Sequence, residues 1–408
     1  MIARTLRTAA LLALLGAAAC KDSPVGPGDP LRGKLVTLPA LGLGRVAERI
    51  TAEVYVHPNR TIAYTTTWGA PPGRSVGNAV KVWNVTGNTP VLVDSAIVSG
   101  ATTLGDVQVS DDGKLLVVAT EPRPNGSIVI FDLANPAKPR EISRFTSPNT
   151  SNGVHTAEVA RVNGTLYAFL SVDPSPPQLV VVDLSDPARP REVLARPMGS
   201  PFIHDVFVRE GILFTALWNG GLTIWDIGGG GRGGSPANPV QLGNVQTAGG
   251  RVHNVWWFHD PRTGSKRYAF VGEEAPGAGG QFGTSSAGDV HVVDVSDLAR
   301  PREVAFFTVP GAGTHNFSMD EPNGILYAAY YNGGVRALDV RGDLGTCSND
   351  QRDALGRCDL GKMGREVGRG LVDQAPVFVW GVHHVGTHLY ASDMLNGLWK
   401  LNASALRR

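Results

Sequence analysis

An all-β chain folded as a seven-bladed β-propeller, each blade a four-stranded antiparallel sheet, is what this sequence predicts. Three observations lead there. One phrase recurs along the chain: residues 179–193, LVVVDLSDPARPREV, join a β-forming run, an Asp, a Pro-rich turn and a second β-prone run. Seven copies of the opening run stack on one template, at a mean spacing of about 53 residues between Asn84 and Asn402, in the range of large propeller blades. The composition suits such a fold, because Gly 51 and Pro 28 supply turns while 42% hydrophobic residues supply a core.

The seven runs are 80–85 (VKVWNV), 128–133 (IVIFDL), 179–184 (LVVVDL), 222–227 (LTIWDI), 290–295 (VHVVDV), 335–340 (VRALDV) and 398–403 (LWKLNA). Alternation and β-branching make each a strand. Asn84, Asp132, Asp183, Asp226, Asp294, Asp339 and Asn402 share one slot. There an Asx side chain ends the strand and caps the turn that follows. Two strands precede each run; in the fourth unit they are 204–208 and 212–217, with an outer strand at 240–245. One blade cannot hide both apolar faces, so the blades must stack radially and close. The chain ends after the third strand of unit seven. Residues 34–40, KLVTLPA, are predicted to supply the missing fourth strand and remove an exposed edge. The propeller is expected to span 32–408, with an insertion at about 341–375. The glycine-rich 228–235 matches GxGxxG at Gly228, Gly230 and Gly233, but opens no helix and carries no phosphate-loop Lys. It reads as a flexible connector.

The tandem LVVVD-LSDPARP pattern, with closely matching copies DLSDPARPREV and DVSDLARPREV, resembles the LVIVD-repeat family of extracytoplasmic β-propellers. The resemblance covers roughly 52–402. It implies the propeller fold and a place outside the cytoplasm, and contributes little about activity.

Residues 1–19 read as an export signal. Arg4 and Arg7 precede an apolar run at 9–15, and Ala17, Ala18 and Ala19 precede Cys20. A Cys at that point resembles a bacterial lipobox, with Ala17 in place of the usual Leu. Cys20 is then lipidated, 20–31 form a flexible tether, and the membrane is a partner through the lipid; an ordinary secretory leader is the alternative. Lys21 lacks an Asp retention cue, which favours the outer membrane within the cell envelope. Cys347 and Cys358 flank a polar loop, and a local disulfide is the simplest pairing in an exported chain. Lys+Arg 37 against Asp+Glu 36 gives +1 with no basic run, so nucleic acid is not a partner. Arg407 and Arg408 are expected to be solvated.

Four histidines begin innermost strands in consecutive units: His155, His204, His253 and His315. Trp380 holds the same place in unit seven. These positions crowd one mouth of the central channel. Second strands return to that mouth and deliver Glu121, Asp173, Asn219, Glu273, Glu274, Asn332 and Asp393, with Glu53, Asp106, Glu158 and Asp205 near the rim. Imidazole with carboxylate suits a divalent transition metal such as zinc, copper, iron or manganese. The competing reading is that each His bonds a neighbouring blade's backbone. In blade three, counting back from Tyr167 puts Glu158 rather than Thr156 in the slot of Asp205. Trp380, Trp218, Glu274, Asp173 and Asp393 are the candidate ligand contacts, and Glu273 and Asp205 are candidate bases. His383, His384 and His388 are expected to point apart; His57 and His259 are expected in solvated turns, and His291 to be structural. No GxSxG elbow occurs. The sequence thus points to a lipid-anchored envelope propeller that binds a small molecule or protein at its channel mouth. A metal-dependent oxidoreductase or hydrolase using the His cluster is the second reading.

Overall fold

The third strand of each blade is buried on both faces, which is why its sequence is a continuous β-branched run rather than an alternating one. In Gln178–Asp183 the four central residues are all buried. A computed structural model describes residues 31–69, 76–121, 126–173, 176–198, 202–276, 283–374 and 376–408. The expected leader at 1–19, Cys20 and the expected tether up to residue 30 lie outside them. The strands form seven sheets of four antiparallel strands, two of them extended by a fifth strand, plus one short hairpin. Blade four shows the pattern: Asp205–Arg209, Ile212–Ala216, Leu222–Asp226 and Val240–Val245, in that spatial order.

The core lies between blades. Val117, Ile128 and Ile130 of blade two pack on Ala168, Leu170 and Val180 of blade three. Val54, Val56 and Trp83 of blade one pack on Tyr390 and Leu398 of blade seven. Each such side chain contributes about 1.5–3 kcal/mol when fully buried. The shared Asx residue does one job in all seven units. Its side-chain oxygen accepts from the backbone N–H two residues on, for example Asn84 from Thr86 at 3.0 Å, Asp183 from Ser185 at 2.8 Å and Asn402 from Ser404 at 2.9 Å. Asp226 goes further and accepts from the N–H groups of Gly228, Gly230, Arg232 and Gly234. Burial opposes its charge, but those four donors outweigh it and hold its carboxyl down at about 2. The glycine-rich connector is therefore wrapped around an anion instead of hanging slack.

The N-terminal segment closes the ring one step later than the sequence suggested. Ala40–Arg45 pairs antiparallel with Gly397–Asn402 and completes blade seven. Val36–Leu38, from the run expected to do this, pairs instead in parallel with Glu366–Gly370 on the outer edge of blade six. The closing strand, ALGLGR, was hard to recognise because it needs glycine. A Cβ on Gly42 would stand 2.3 Å from Thr89 Oγ1, and one on Gly44 2.5 Å from Trp83 Cζ3.

Cys347 and Cys358 form the disulfide, with Cα atoms 5.9 Å apart, which suits an oxidising, non-cytoplasmic compartment. The insertion caps the neighbouring blade: Cys358–Asp359 adds a parallel strand beside Arg302–Phe307. The region 341–375 is not all insertion, since Glu366–Gly370 is blade six's own fourth strand. Arg408 stays exposed at the chain's end, but its side chain is tied down: it reaches Asp339 Oδ2 at 3.0 Å, and its backbone N–H donates to Asn323 Oδ1 at 2.9 Å. His57 and His259, expected in solvated turns, are buried. His57 Nε2 meets the Gly113 carbonyl of blade two at 2.8 Å, and His259 packs edge-on against Trp257.

Gly44→Ala is expected to lower the melting temperature, with an overpacking cost of about 1–3 kcal/mol. Gly87→Ala, whose Cβ would meet nothing closer than 3.9 Å, is expected to leave it unchanged. Thermal unfolding of the two variants side by side checks this.

Candidate functional site

Inner strands place their first residues at one end of the channel, and six aromatic rings close a circle there. Successive ring centroids are 4.4 Å apart for His155 and His204, 4.6 Å for His204 and His253, and 4.2 Å for His253 and His315. His315 then meets Trp380 at 4.1 Å, Trp380 meets Trp68 at 5.0 Å, and Trp68 returns to His155 at 5.9 Å. Blade two contributes Gly105, where a Cβ would stand 2.5 Å from the His155 carbonyl oxygen. The insecure register of blade three resolves at its far end. Both hairpins turn on two residues, but the Thr156–Val162 strand is two residues longer than Asp205–Arg209. His155 keeps its place at the mouth. In blade five a bulge between Val252 and Asn254 accommodates His253 as the extra residue.

Residues just beyond the ends of second strands fill the gaps between these rings: Glu121, Asp173, Trp218, Glu274 and Tyr331. Glu274 is the hub. Its Oε2 lies 3.2 Å from His204 Nε2 and 3.7 Å from His253 Nε2; its Oε1 accepts from Tyr331 Oη at 2.5 Å and lies 4.0 Å from His315 Nε2. Trp218 stacks on His204 with planes 25° apart. Trp218 and Tyr331 both adopt left-handed φ values, +52° and +39°. Each is held there by a two-way backbone bridge to the next blade, Trp218 with Val252 and Tyr331 with Val379. Bulky residues keep such strain where the surroundings over-determine it.

The charges are sharply sorted. Burial opposes the imidazolium of His155, but Glu121, 2.8 Å from Nδ1, outweighs it and pushes the pKa up to about 10. Burial and the neighbouring imidazoles hold His253 and His315 well below the usual range, so both are neutral. Burial works against the Glu274 anion, yet His253, His204 and Tyr331 bring it down to about 2. The Nδ1 atoms of His204, His253 and His315 are buried with no hydrogen-bond partner. His315 does meet the Trp380 backbone of the next blade, but a histidine retained to bond a neighbour's backbone would not leave His204 and His253 so. Two groups of donors lie within 4.8 Å of one another: His204, His253 and Glu274; and His155, Asp173 and His204. Two ligands of a tetrahedral zinc-sized ion, each about 2.1 Å from it, lie roughly 3.4 Å apart. The 3.2 and 3.7 Å contacts of Glu274 bracket that edge.

Inward of the ring lies a cavity of about 350 Å³, lined by His155, His253, His315 and Trp380 and by Glu53, Asp106, Glu158 and Asp205, but not by His204 or Glu274. Burial raises all four carboxyls, and their mutual repulsion adds to it at Glu53, Glu158 and Asp205. Glu53 reaches about 8 and Asp205 about 7.

Several residues expected at the mouth lie elsewhere. Asp393 is spent inside blade seven, accepting from the N–H groups of Phe378 and Leu395 and from the side chains of Asn396 and Trp399. Glu273 faces away from the histidine ring: Arg251, at 2.7 Å, and His291, at 3.5 Å, keep it ionised despite burial. Asn219 and Asn332 fall one residue beyond Trp218 and Tyr331. His383, His384 and His388 separate, His383 against Tyr55, His384 on Tyr327 and His388 against Tyr390. Trp68 escaped the sequence reading, although its place at the end of a second strand could have marked it.

The LVIVD repeat family matches residues 174–195 and 203–247. No curated protein matches the chain. Among solved structures the chain is similar to U3-55K, at 12% identity and a TM-score of 0.59, over 90% of this chain and 98% of that one. It is also similar to Sqt1 of Saccharomyces cerevisiae, at 11% identity and a TM-score of 0.54, over 90% of this chain and 86% of that one. At such identities the likeness is one of fold.

The inner carboxyls set a pH dependence. Their folded pKa values are raised, so the folded chain holds more protons than the unfolded one between the ordinary carboxyl range and about 8, and stability falls as pH rises through that window. Glu53→Gln combined with Asp205→Asn is expected to raise the melting temperature by a few degrees, roughly, more at pH 8 than at pH 5. Melts at both pH values check it; equal shifts would count against the raised pKa values.

Proposed function

We propose that the chain, a seven-bladed β-propeller carrying LVIVD repeats at residues 174–195 and 203–247, is a lipid-anchored binding protein of the bacterial cell envelope. It holds a small molecule or protein at the histidine mouth of its channel through a divalent transition metal on His204, His253 and Glu274. The observation that carries this reading is a buried carboxylate facing several imidazoles whose remaining nitrogens have no partner. Nitrogen and oxygen donors at this spacing suit zinc or copper. Trp380 and Trp68 beside the ring offer a flat apolar wall for the bound group. The disulfide supports the extracytoplasmic setting, and the lipobox-like segment ending at Cys20 supports the anchor.

A specific observation also favours an enzyme. Asp205 follows His204 directly and lines the channel, and its carboxyl, raised to about 7, is matched to proton transfer near neutral pH. In that reading the metal polarises a substrate or activates water. Glu273, engaged by Arg251 and His291, takes no part.

Elemental analysis of the purified mature protein is expected to find at least one transition metal per chain. His204→Ala with His253→Ala is expected to lose it, with little change in melting temperature. No metal in either protein, with a large loss of stability in the variant, would make the histidines structural. Cys20→Ser is expected to move the protein from the membrane fraction to the soluble one, as read by detergent phase partitioning; unchanged partitioning would remove the lipid anchor.

A further inference from the structure

His204 has a different carboxylate in front of each ring nitrogen. Nε2 lies 3.2 Å from Glu274 Oε2, and Nδ1 lies 3.7 Å from Asp173 Oδ2. The carboxylates come from blades five and three, with His204 between them in blade four. Each side has its own second imidazole, His253 with Glu274 and His155 with Asp173. The two donor groups are therefore separate except for one shared residue. The Nδ1 side is incomplete as it stands. That atom is buried without a hydrogen-bond partner, and 3.7 Å is too long for one. The separation is close to the edge between two ligands of a common ion, about 3.4 Å.

The geometry points to a second cation bound by His155, Asp173 and Nδ1 of His204, so that the His204 ring bridges two ions about 6 Å apart, a ring's width plus two metal–nitrogen bonds. This rests on the reading that the first ion sits on His204, His253 and Glu274. Bridging requires both nitrogens of His204 to be unprotonated. The remaining ring proton of His204 leaves to solvent as the second ion binds, the Nε2 proton of the His155 imidazolium leaves with it, and no electron is transferred. His155 is already oriented for the task. Its Nδ1 is held by Glu121 at 2.8 Å, which leaves Nε2 to ligate, the carboxylate–imidazole pairing that fixes ligand histidines. Trp218 fixes the bridge itself: its ring stacks on His204 with centroids 5.1 Å apart, and its backbone is tied to Val252 in both directions at 3.1 and 3.2 Å. The imidazole plane is thereby held with one nitrogen toward each carboxylate.

The test is a titration of the metal-free mature protein with Cu(II), with bound copper measured after gel filtration and the spin signal followed by electron paramagnetic resonance. Two ions per chain are expected. The doublet signal is expected to grow with the first equivalent and to fall with the second, because an imidazolate couples the two spins. Asp173→Asn, nearly isosteric, is expected to keep one ion and an undiminished signal, with unchanged circular dichroism. One ion per chain in the unaltered protein would overturn the bridge and leave the first site standing; none would overturn both. Two ions with an uncoupled signal, or two ions retained by Asp173→Asn, would overturn His204 as the shared ligand.

Discussion

A propeller blade is a sheet with two apolar faces, and neither is buried until another blade lies against it. Closure is thus the condition on which everything else here depends. It is met by a six-residue strand from one end of the chain, Ala40–Arg45, laid on a strand from the other, Gly397–Asn402. That pairing places Trp83 and Val54 of blade one on Tyr390 and Leu398 of blade seven. It also completes the circle of rings, since Trp68 and Trp380 become neighbours only when the first and last blades touch. The site is built from short segments spread over most of the chain, each fixed by its own sheet, so its geometry is as rigid as the ring.

What the sequence revealed follows from which strands are chemically conspicuous. The third strand is sandwiched on both faces and must be β-branched, and the Asx residue after it must cap a turn, so both recur in readable form. The closing strand is the opposite case. Thr89 and Trp83 crowd it until glycine is required at positions 42 and 44, and two glycines in six residues do not look like a strand. The histidines were legible because they repeat at a defined place, the start of the innermost strand. Among their partners, Trp218 was legible as a ligand contact, while the second-strand ends were read one residue out, at Asn219 and Asn332, just beyond Trp218 and Tyr331. The left-handed backbone at those aromatics turns the chain where a simple count continues straight. The bulge at His253 does the same in blade five, and makes Glu274 rather than Glu273 the residue that faces the ring.

Repetition alone does not account for the mouth of the channel. The Asx slot, which is structural, holds Asp or Asn in all seven units. The slot at the start of the inner strand holds Ala52, Gly105, four histidines and Trp380. A residue needed by every blade would not diverge in this way, and His204 and His253, unlike His315, bond no neighbour's backbone. Instead three Nδ1 atoms are buried and unpartnered, at a cost of about 1–3 kcal/mol for each such group. Strain at Trp218 and Tyr331 is added in the same place, and both aromatics bear directly on the cluster, one stacked on His204 and one bonded to Glu274.

The carboxylates deeper in the channel sharpen the contrast, because they look like the better cation site on charge alone. Their oxygens are already engaged. Asp106 accepts from the N–H groups of Val107 and Ala157, Asp205 from Val206, and Glu53 from Val54 and the Asn316 amide. They cap the inner strands, and their raised pKa values come from burial and mutual repulsion without a compensating ion. Among the described residues, no three of them bring oxygens close enough to share one. Counting lone pairs instead of charges selects the imidazole tier: there the donors converge, several nitrogens are left unpartnered, and the one buried carboxylate at the hub is already an anion.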